Sequence, residues 1–217
     1  MLFKYIFDRT LSFLGLIFLW PFLAAIALHI KIRKPDAPVF FVQKRIGKGG
    51  RLFNCHKFRT MTLNHNGNSV SVAGDHRITP VGAVLRHYKL DELPELWDVL
   101  IGNMSFVGPR PDVPDYLEKY DGKDKDILKL RPGITGPATL KYRLEDEMIA
   151  EYVGKMQKNG DLREPQEIAV EYNDNMIYPD KVRLNCYYYR HYSFAKDIQM
   201  ILCTVFGKKM EYAGEVI

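Results

Sequence analysis

Paired cysteines, an acidic surplus and a second long apolar run are all missing from this chain. The three cysteines, Cys55, Cys186 and Cys203, are odd in number and far apart. That excludes a disulfide-stapled scaffold and gives no metal-ligand spacing, so each is expected to be a reduced, buried small hydrophobe. Lys and Arg outnumber Asp and Glu by 31 to 26, a formal charge of +5, which points to an acidic partner: nucleic acid, an anionic membrane face or a phosphorylated substrate. Tyr187, Tyr188 and Tyr189 are consecutive and cannot share one face of a helix, which speaks against base stacking and nucleic acid. No internal repeat or low-complexity run occurs. Gly47-Lys48-Gly49-Gly50 lacks the spacing and following hydroxyl of a Walker loop, so it reads as a hairpin turn. With 47% hydrophobic and 26% charged residues, the chain is neither a disordered tail nor a multi-span transporter; it is long enough for one core with an attached membrane segment.

What is present begins with that segment. Leu11 to Ile30 carries no Lys, Arg, Asp or Glu, and a straight span needs about 20 such residues. Pro21 sits at its centre, removing a backbone donor and clashing with the carbonyl of Ile17, while Trp20 before it is steered away from helical geometry. Two legs of roughly ten residues reach about 15 Å each, half the hydrocarbon thickness, so a bent segment returns to the side it entered. Lys4 and Arg9 before it and Lys31, Arg33 and Lys34 after it give both flanks a cytoplasmic signature. A single proline-kinked span is the competing path. Ala25-Ile26-Ala27 imitates a signal-cleavage site, but the basic residues directly behind it oppose export. The expected division is a membrane segment over 1–36 and a cytosolic domain over 37–217.

Val39 to Arg45 and Arg51 to Arg59 read as paired strands, and Asn64 to Gly74 as a polar surface loop. Thr79-Pro80 caps a helix whose buried face is Val81, Val84 and Leu85. A second helix is expected to open at Asp91, bearing Leu93, Leu96, Trp97, Leu100 and Ile101, and to stop at Gly102-Asn103. A short strand follows over Met104 to Val107. Further helices are expected at 113–120, 123–130, 145–157, 165–177 and 179–190, with a last amphipathic one capped by Ser193 and suited to a core or a membrane surface.

Chemistry concentrates between Arg86 and Pro111. Asp91 and Glu92 are adjacent acids at a helix start, where an N-cap and a first-turn charge are the plain explanation. Lys57, Arg59, Arg86, Arg110 and Arg131 lie beside glycine, proline or element ends, where side chains can converge on a cleft, and Arg suits phosphate through its planar fork. An aspartate nucleophile is ionised at pH 7 without help. Its obstacle is repulsion: two unit charges about 4 Å apart at an effective dielectric of roughly 20 cost about 4 kcal/mol. A helix N-terminus returns roughly 0.3–1 kcal/mol, so an acid working on a diphosphate calls for a divalent cation, magnesium, and arginines around it.

The ordered motifs resemble the small monotopic phosphoglycosyl transferases, the bacterial sugar transferases, over nearly the whole chain. They are Lys4 and Asp8, Lys57-Phe58-Arg59-Thr60-Met61, Asp75 through Arg86, Leu90-Asp91-Glu92-Leu93-Pro94, Val107-Gly108-Pro109-Arg110-Pro111 and Arg131-Pro132-Gly133-Ile134-Thr135-Gly136. The resemblance implies an α+β, mostly helical fold: a re-entrant membrane helix kinked at Trp20-Pro21, a small β-hairpin and short helices around an Asp-Glu active site, and amphipathic membrane-surface helices. It also implies that Asp91 attacks the sugar-bearing phosphate of a UDP-sugar, releasing UMP, and that polyprenyl (undecaprenyl) phosphate then takes the phosphosugar. Asp91 would contact Mg2+, Glu92 would be its catalytic partner, and Arg110 would hold phosphate with Lys57, Arg59, Arg86 and Arg131. The implied location is the bacterial inner membrane, facing the cytoplasm, at the first step of lipopolysaccharide, capsule or other glycoconjugate synthesis, with a homodimer possible through helices near the membrane.

The sequence departs from that pattern in places. Trp20-Pro21 stands where many members have Ser-Pro, Glu95 where Gln is usual, Asp98 for Asn and Asn103 for Asp. The last three are expected on a helix surface or turn. After Gly136 the run PATLKYRLEDE is this chain's own, so the sugar is left open. Two other readings use the same residues: a metal-dependent nucleotide-sugar hydrolase, and a basic membrane-tethered scaffold that recruits anionic lipid or nucleic acid.

Overall fold

A computed structural model describes residues 2–62 and 77–217; the expected loop at 64–74 and Asp75 lie outside the described residues. The fold is mostly helical with small two-stranded sheets. Helix α1 runs from Leu2 to Arg33, apolar and mostly outward-facing, and is long and apolar enough to cross a membrane. Trp20 and Pro21 both lie inside it. The break expected before Pro21 is absorbed within one helical run, because an internal proline costs one donor and distorts a helix locally more readily than it ends it.

The hairpin forms as its sequence suggests. Strands β1 (Phe40–Ile46) and β2 (Leu52–Phe58) pair antiparallel, Phe40 opposite Phe58 and Ile46 opposite Leu52. Cys55 and Phe58 on β2 face inward. Helix α2 (Pro80–His87) starts where Thr79 accepts a hydrogen bond from the Gly82 amide at 3.0 Å. Its inner face is Gly82 and Leu85, whereas Val84 is exposed. Gly82 is needed because a Cβ there would meet the Thr60 carbonyl oxygen at 2.0 Å. This contact binds the Lys57–Met61 strand end to α2.

The second helix does not open at Asp91. Lys89 takes a left-handed conformation (φ 55°), Leu90–Glu92 form a single 3₁₀ turn, and α3 proper runs Glu95–Ile101 after Pro94. Pro94 has no amide to continue a hydrogen-bonded helix from the preceding turn, so the turn and the helix stay separate. The inward face of α3 also differs from expectation. Leu96 and Val99 are buried, but Trp97 and Ile101 are exposed, and the carboxyl-bearing Glu95 and Asp98 are 3% and 0% exposed. They point at β2, not at solvent.

Strands β3 (Ser105–Val107) and β4 (Gly133–Thr135) pair in parallel, joining the Gly-Pro-Arg-Pro and Arg-Pro-Gly segments. A Cβ on Gly108 would meet the Arg131 carbonyl oxygen at 2.3 Å, and one on Gly133 would meet the Gly108 nitrogen at 2.2 Å. The two backbones touch, which no larger residue would permit. Segments expected as helices at 113–120 and 123–130 are 3₁₀ turns, Pro114–Lys119 and Gly122–Lys129. Helices α4 (Pro137–Lys141), α5 (Glu145–Lys158), α6 (Pro165–Tyr172), α7 (Tyr178–Arg190) and α8 (Phe194–Phe206) follow, with a π turn, Asn173–Ile177, linking α6 to α7. Ser193 precedes α8 but makes no side-chain cap. The terminal hairpin β5 (Glu211–Tyr212) and β6 (Glu215–Val216) closes over a core of Val107, Leu130, Leu140, Tyr188 and Met200. Cys55, Cys186 and Cys203 are free and buried.

Helix α1 is bound to this body through polar seams on its first turns. Lys4 pairs with the buried Asp197 at 2.7 Å, Asp8 accepts the Ser105 hydroxyl at 2.7 Å, and Arg9 donates to the Ile101 carbonyl at 2.9 Å. Ser12 donates to the Leu96 carbonyl, and Leu23 and Ile26 join Leu90 in packing on the cluster of Ile30, Phe58 and Leu85. The pairing numbers fall along α3 as they rise along α1, so the two helices run antiparallel.

Candidate active site

Four elements meet around the acids: the end of β2, the end of α2, the turn at Leu90–Glu92 and the segment after β3. Asp91 and Glu92 are each 8% exposed. Glu92 is the hub. It accepts Lys57 Nζ at 2.7 Å and the Arg110 guanidinium, one of whose nitrogens lies close and the other at 3.5 Å. Burial alone would favour its neutral form, but Arg110 and Lys57 outweigh it and hold the carboxyl well below the usual range. Glu92 in turn raises the Arg110 pKa. Arg110 is aimed by the glycine contact between β3 and β4 described above.

Asp91 is in a different state. Its Oδ1 is buried and has no hydrogen-bond partner among the described residues. Burial pushes its pKa up and Glu92 adds to that, while Lys57, Arg86 and Lys89 pull it down. The acid pair is thus divided into one fully paired carboxylate and one held beside cations but bonded to none of them. A buried, unpartnered carboxylate oxygen is a costly feature unless a ligand satisfies it.

Of the cations read from the sequence, Lys57, Arg86 and Arg110 converge on the pair. Arg86 also pairs with Asp146 in α5 at 2.9 Å, which brings the chain-specific run after Gly136 to the rim of the site. Arg59 donates to the Pro38 carbonyl at 2.9 Å and lies over the Phe41 ring. Arg131 stacks on Tyr5 of α1, its guanidinium carbon 4.1 Å from the ring centroid. Neither Arg59 nor Arg131 pairs with the acids. Trp20 is 64% exposed on α1.

Two residues placed on a helix surface by sequence reasoning belong to the interior. Glu95 sits 3.2 Å from Lys57 Nζ and 3.5 Å from Cys55 Sγ; burial raises its pKa, Glu92 adds to the rise, and Lys57 opposes it. Asp98 accepts the His56 amide at 2.9 Å and contacts His56 Nδ1 at 2.9 Å. The alternation of Cys55 and Lys57 on β2 was the available signal: residues two apart share a face.

An acid pair beside cations, on a turn that leads into a helix strapped to a long apolar one, defines a membrane-associated site suited to an anionic ligand. The chain belongs to the bacterial sugar transferase family, whose profile matches residues 1–209. It is 34% identical over 214 residues, 94% of this chain, to a Xanthomonas campestris pv. campestris protein named UDP-glucose:undecaprenyl-phosphate glucose-1-phosphate transferase. An Aeromonas hydrophila protein named UDP-N-acetylgalactosamine-undecaprenyl-phosphate N-acetylgalactosaminephosphotransferase is 39% identical over 127 residues, 56% of this chain. The exopolysaccharide production protein ExoY of Sinorhizobium fredii is 38% identical over 149 residues, covering 60% of this chain and 65% of that protein. The chain spans 39% of the length of the Xanthomonas relative and 30% of the Aeromonas one.

Proposed function

We propose that the chain transfers a sugar phosphate from a UDP-sugar to polyprenyl phosphate through a phosphosugar held on Asp91. The names of its relatives support the donor and acceptor classes, and the unpartnered buried Oδ1 of Asp91 is the observation that carries the reading. Asp91 attacks the sugar-bearing phosphorus, a bond forms between its carboxylate oxygen and phosphorus, and the bond to the bridging oxygen breaks, so UMP leaves. An oxygen of polyprenyl phosphate then attacks the same phosphorus and the carboxylate is restored, giving a polyprenyl diphosphate sugar.

Approach of two negative groups to about 4 Å costs about 4 kcal/mol at a dielectric near 20. Lys57 and Arg86, which already act on Asp91, offset part of this. Arg110 can hold phosphate with one edge while Glu92 fixes the other, so Glu92 orients the cations toward the substrate. Arg59 and Arg131, with contacts elsewhere, are given no step. Magnesium fits Asp91 Oδ1, a single free carboxylate oxygen of the kind that completes its shell with phosphate oxygens and water. No group of three His, Cys, Asp or Glu gathers for a metal among the described residues. When bound, the ion would neutralise diphosphate charge.

On this reading α1 anchors the site to the cytoplasmic face of the inner membrane. The basic residues on both sides of the apolar run, with Pro21 at its middle, support a re-entrant path. Purified protein incubated with magnesium and a panel of UDP-sugars should release at most about one UMP per chain without polyprenyl phosphate and turn over only when it is added, and Asp91→Asn should release none. Equal release without the lipid would favour the hydrolase reading. Full turnover by Asp91→Asn would end the covalent mechanism.

A further inference from the structure

The first turns of α1 hold a second group of cations that the transfer reaction does not use. Arg9 and Arg131 both stack on the Tyr5 ring, their guanidinium carbons 4.4 and 4.1 Å from its centroid. Two cations sharing one ring repel each other, and both are partly withdrawn from solvent. The nearby acid is Asp8, 1% exposed and occupied by the Ser105 hydroxyl at 2.7 Å and the Phe106 amide at 3.4 Å. One carboxylate against two guanidinium groups leaves a positive charge over.

Donors are left over as well. Arg9 gives one nitrogen to the Ile101 carbonyl, but its Nε is buried without a partner. The Arg131 guanidinium makes no hydrogen bond or ion pair among the described residues, only its ring contacts. A planar fork with free N–H groups beside a second one matches the oxygens of a phosphate.

Position says which phosphate. Arg9 lies two residues before the uncharged run Leu11 to Ile30, and Phe13, Leu14, Ile17 and Phe18 beyond it face outward. With that run in lipid, Arg9 stands where hydrocarbon gives way to head groups. The acceptor's phosphate has to reach Asp91, whereas Arg9 meets α3 at Ile101, the end of that helix far from the Leu90–Glu92 turn. We propose that Arg9 and Arg131, stacked on Tyr5, bind the phosphate of an anionic phospholipid head group. A phosphodiester's single negative charge equals the one in surplus.

The test uses the full chain in detergent, with lipid retention counted by native mass spectrometry. Phosphatidylglycerol should be retained at one per chain, and phosphatidylcholine much less. Arg131→Gln should lower phosphatidylglycerol occupancy about tenfold, the order expected for losing a charged hydrogen-bonded pair, and exposed Lys209→Gln should leave it unchanged. Arg9→Gln should act in the same direction; because Arg9 also holds the Ile101 carbonyl, Arg131→Gln is the deciding variant, and its thermal unfolding should match that of the parent. Equal retention by Arg131→Gln and parent would overturn the proposal. So would equal retention of phosphatidylcholine, or displacement of the lipid by millimolar inorganic phosphate, which would make this a free-anion site. None of these outcomes depends on Asp91 chemistry, so turnover measured alongside tests the two readings separately.

Discussion

Replacing Glu95 by glutamine removes one proton-binding group from the buried site and keeps its shape. Glu95 is 3% exposed and 3.2 Å from Lys57 Nζ. Its carboxyl is pushed up by burial first and by Glu92 next, with Lys57 and Arg110 opposing. The folded protein therefore binds the Glu95 proton more tightly than the unfolded chain does. Below an unfolded pKa of about 4.3 both states hold the proton and the native carboxyl costs nothing extra. As the pH rises through the folded pKa, the unfolded state ionises freely while the folded state resists, so stability is lost. Glutamine cannot titrate. Each tenfold difference in proton affinity between the states is worth about 1.4 kcal/mol, and one kcal/mol moves the Tm of a protein this size by about 2–4 °C. A tenfold difference thus opens a gap of about 3–6 °C in favour of the variant between pH 4 and pH 8. Thermal unfolding in detergent, parent against Glu95→Gln at each pH, measures it. A gap that stays constant with pH, or one that widens in favour of the parent, would refute the placement of Glu95 as a buried acid with a raised pKa.

Two further substitutions probe the framework. Gly108→Ala puts a methyl 2.3 Å from the Arg131 carbonyl oxygen, so β3 and β4 must part; the expected result is a loss of about 1–3 kcal/mol, read by denaturant titration, and a fall in turnover as Arg110 moves. Lys4→Met strips the ammonium from Asp197, which is 1% exposed and keeps neutral hydroxyl partners, the Tyr188 hydroxyl at 2.7 Å foremost. That should cost about 3–5 kcal/mol near neutral pH. Asp197 has a pKa raised by burial against the pull of Lys4, so acidification, by protonating it, should shrink the deficit. A deficit independent of pH would count against the pairing.

Local signals were the readable ones. Thr79-Pro80 announced α2 because a cap and a preset φ act within one turn, and the glycine turn placed the hairpin for the same reason. Of the motif cations, Lys57, Arg86 and Arg110 lie beside the acids, whereas Arg59 and Arg131, read the same way, turn to Pro38 and Tyr5. What could not be read was which side of α3 faces β2. Glu95 and Asp98 look like surface acids by type, and only the approach of Lys57 and His56 from another strand makes their burial tolerable. Val84 and Trp97 failed in the opposite sense, as apolar residues on faces that nothing covers. The partners of Asp8 and Ser12 in α1 were invisible too, since they lie about 90 residues away.

The polar seam along α1 makes that helix a depth gauge. Ser12 and Gly15 rest against Leu96, and Leu23 and Leu90 pack on the same cluster of Ile30, Phe58 and Leu85. The acid-bearing turn is therefore indexed to a fixed level on the apolar rod, not merely tied to it. Adding one residue after Ser12 would swivel everything beyond it by about 100° and advance it about 1.5 Å. Gly15 would leave Leu96 and the outward phenylalanines would turn inward. Such a chain could stay just as hydrophobic and yet hold its acids at the wrong height, so the register of this helix, more than its greasiness, is what evolution has to preserve.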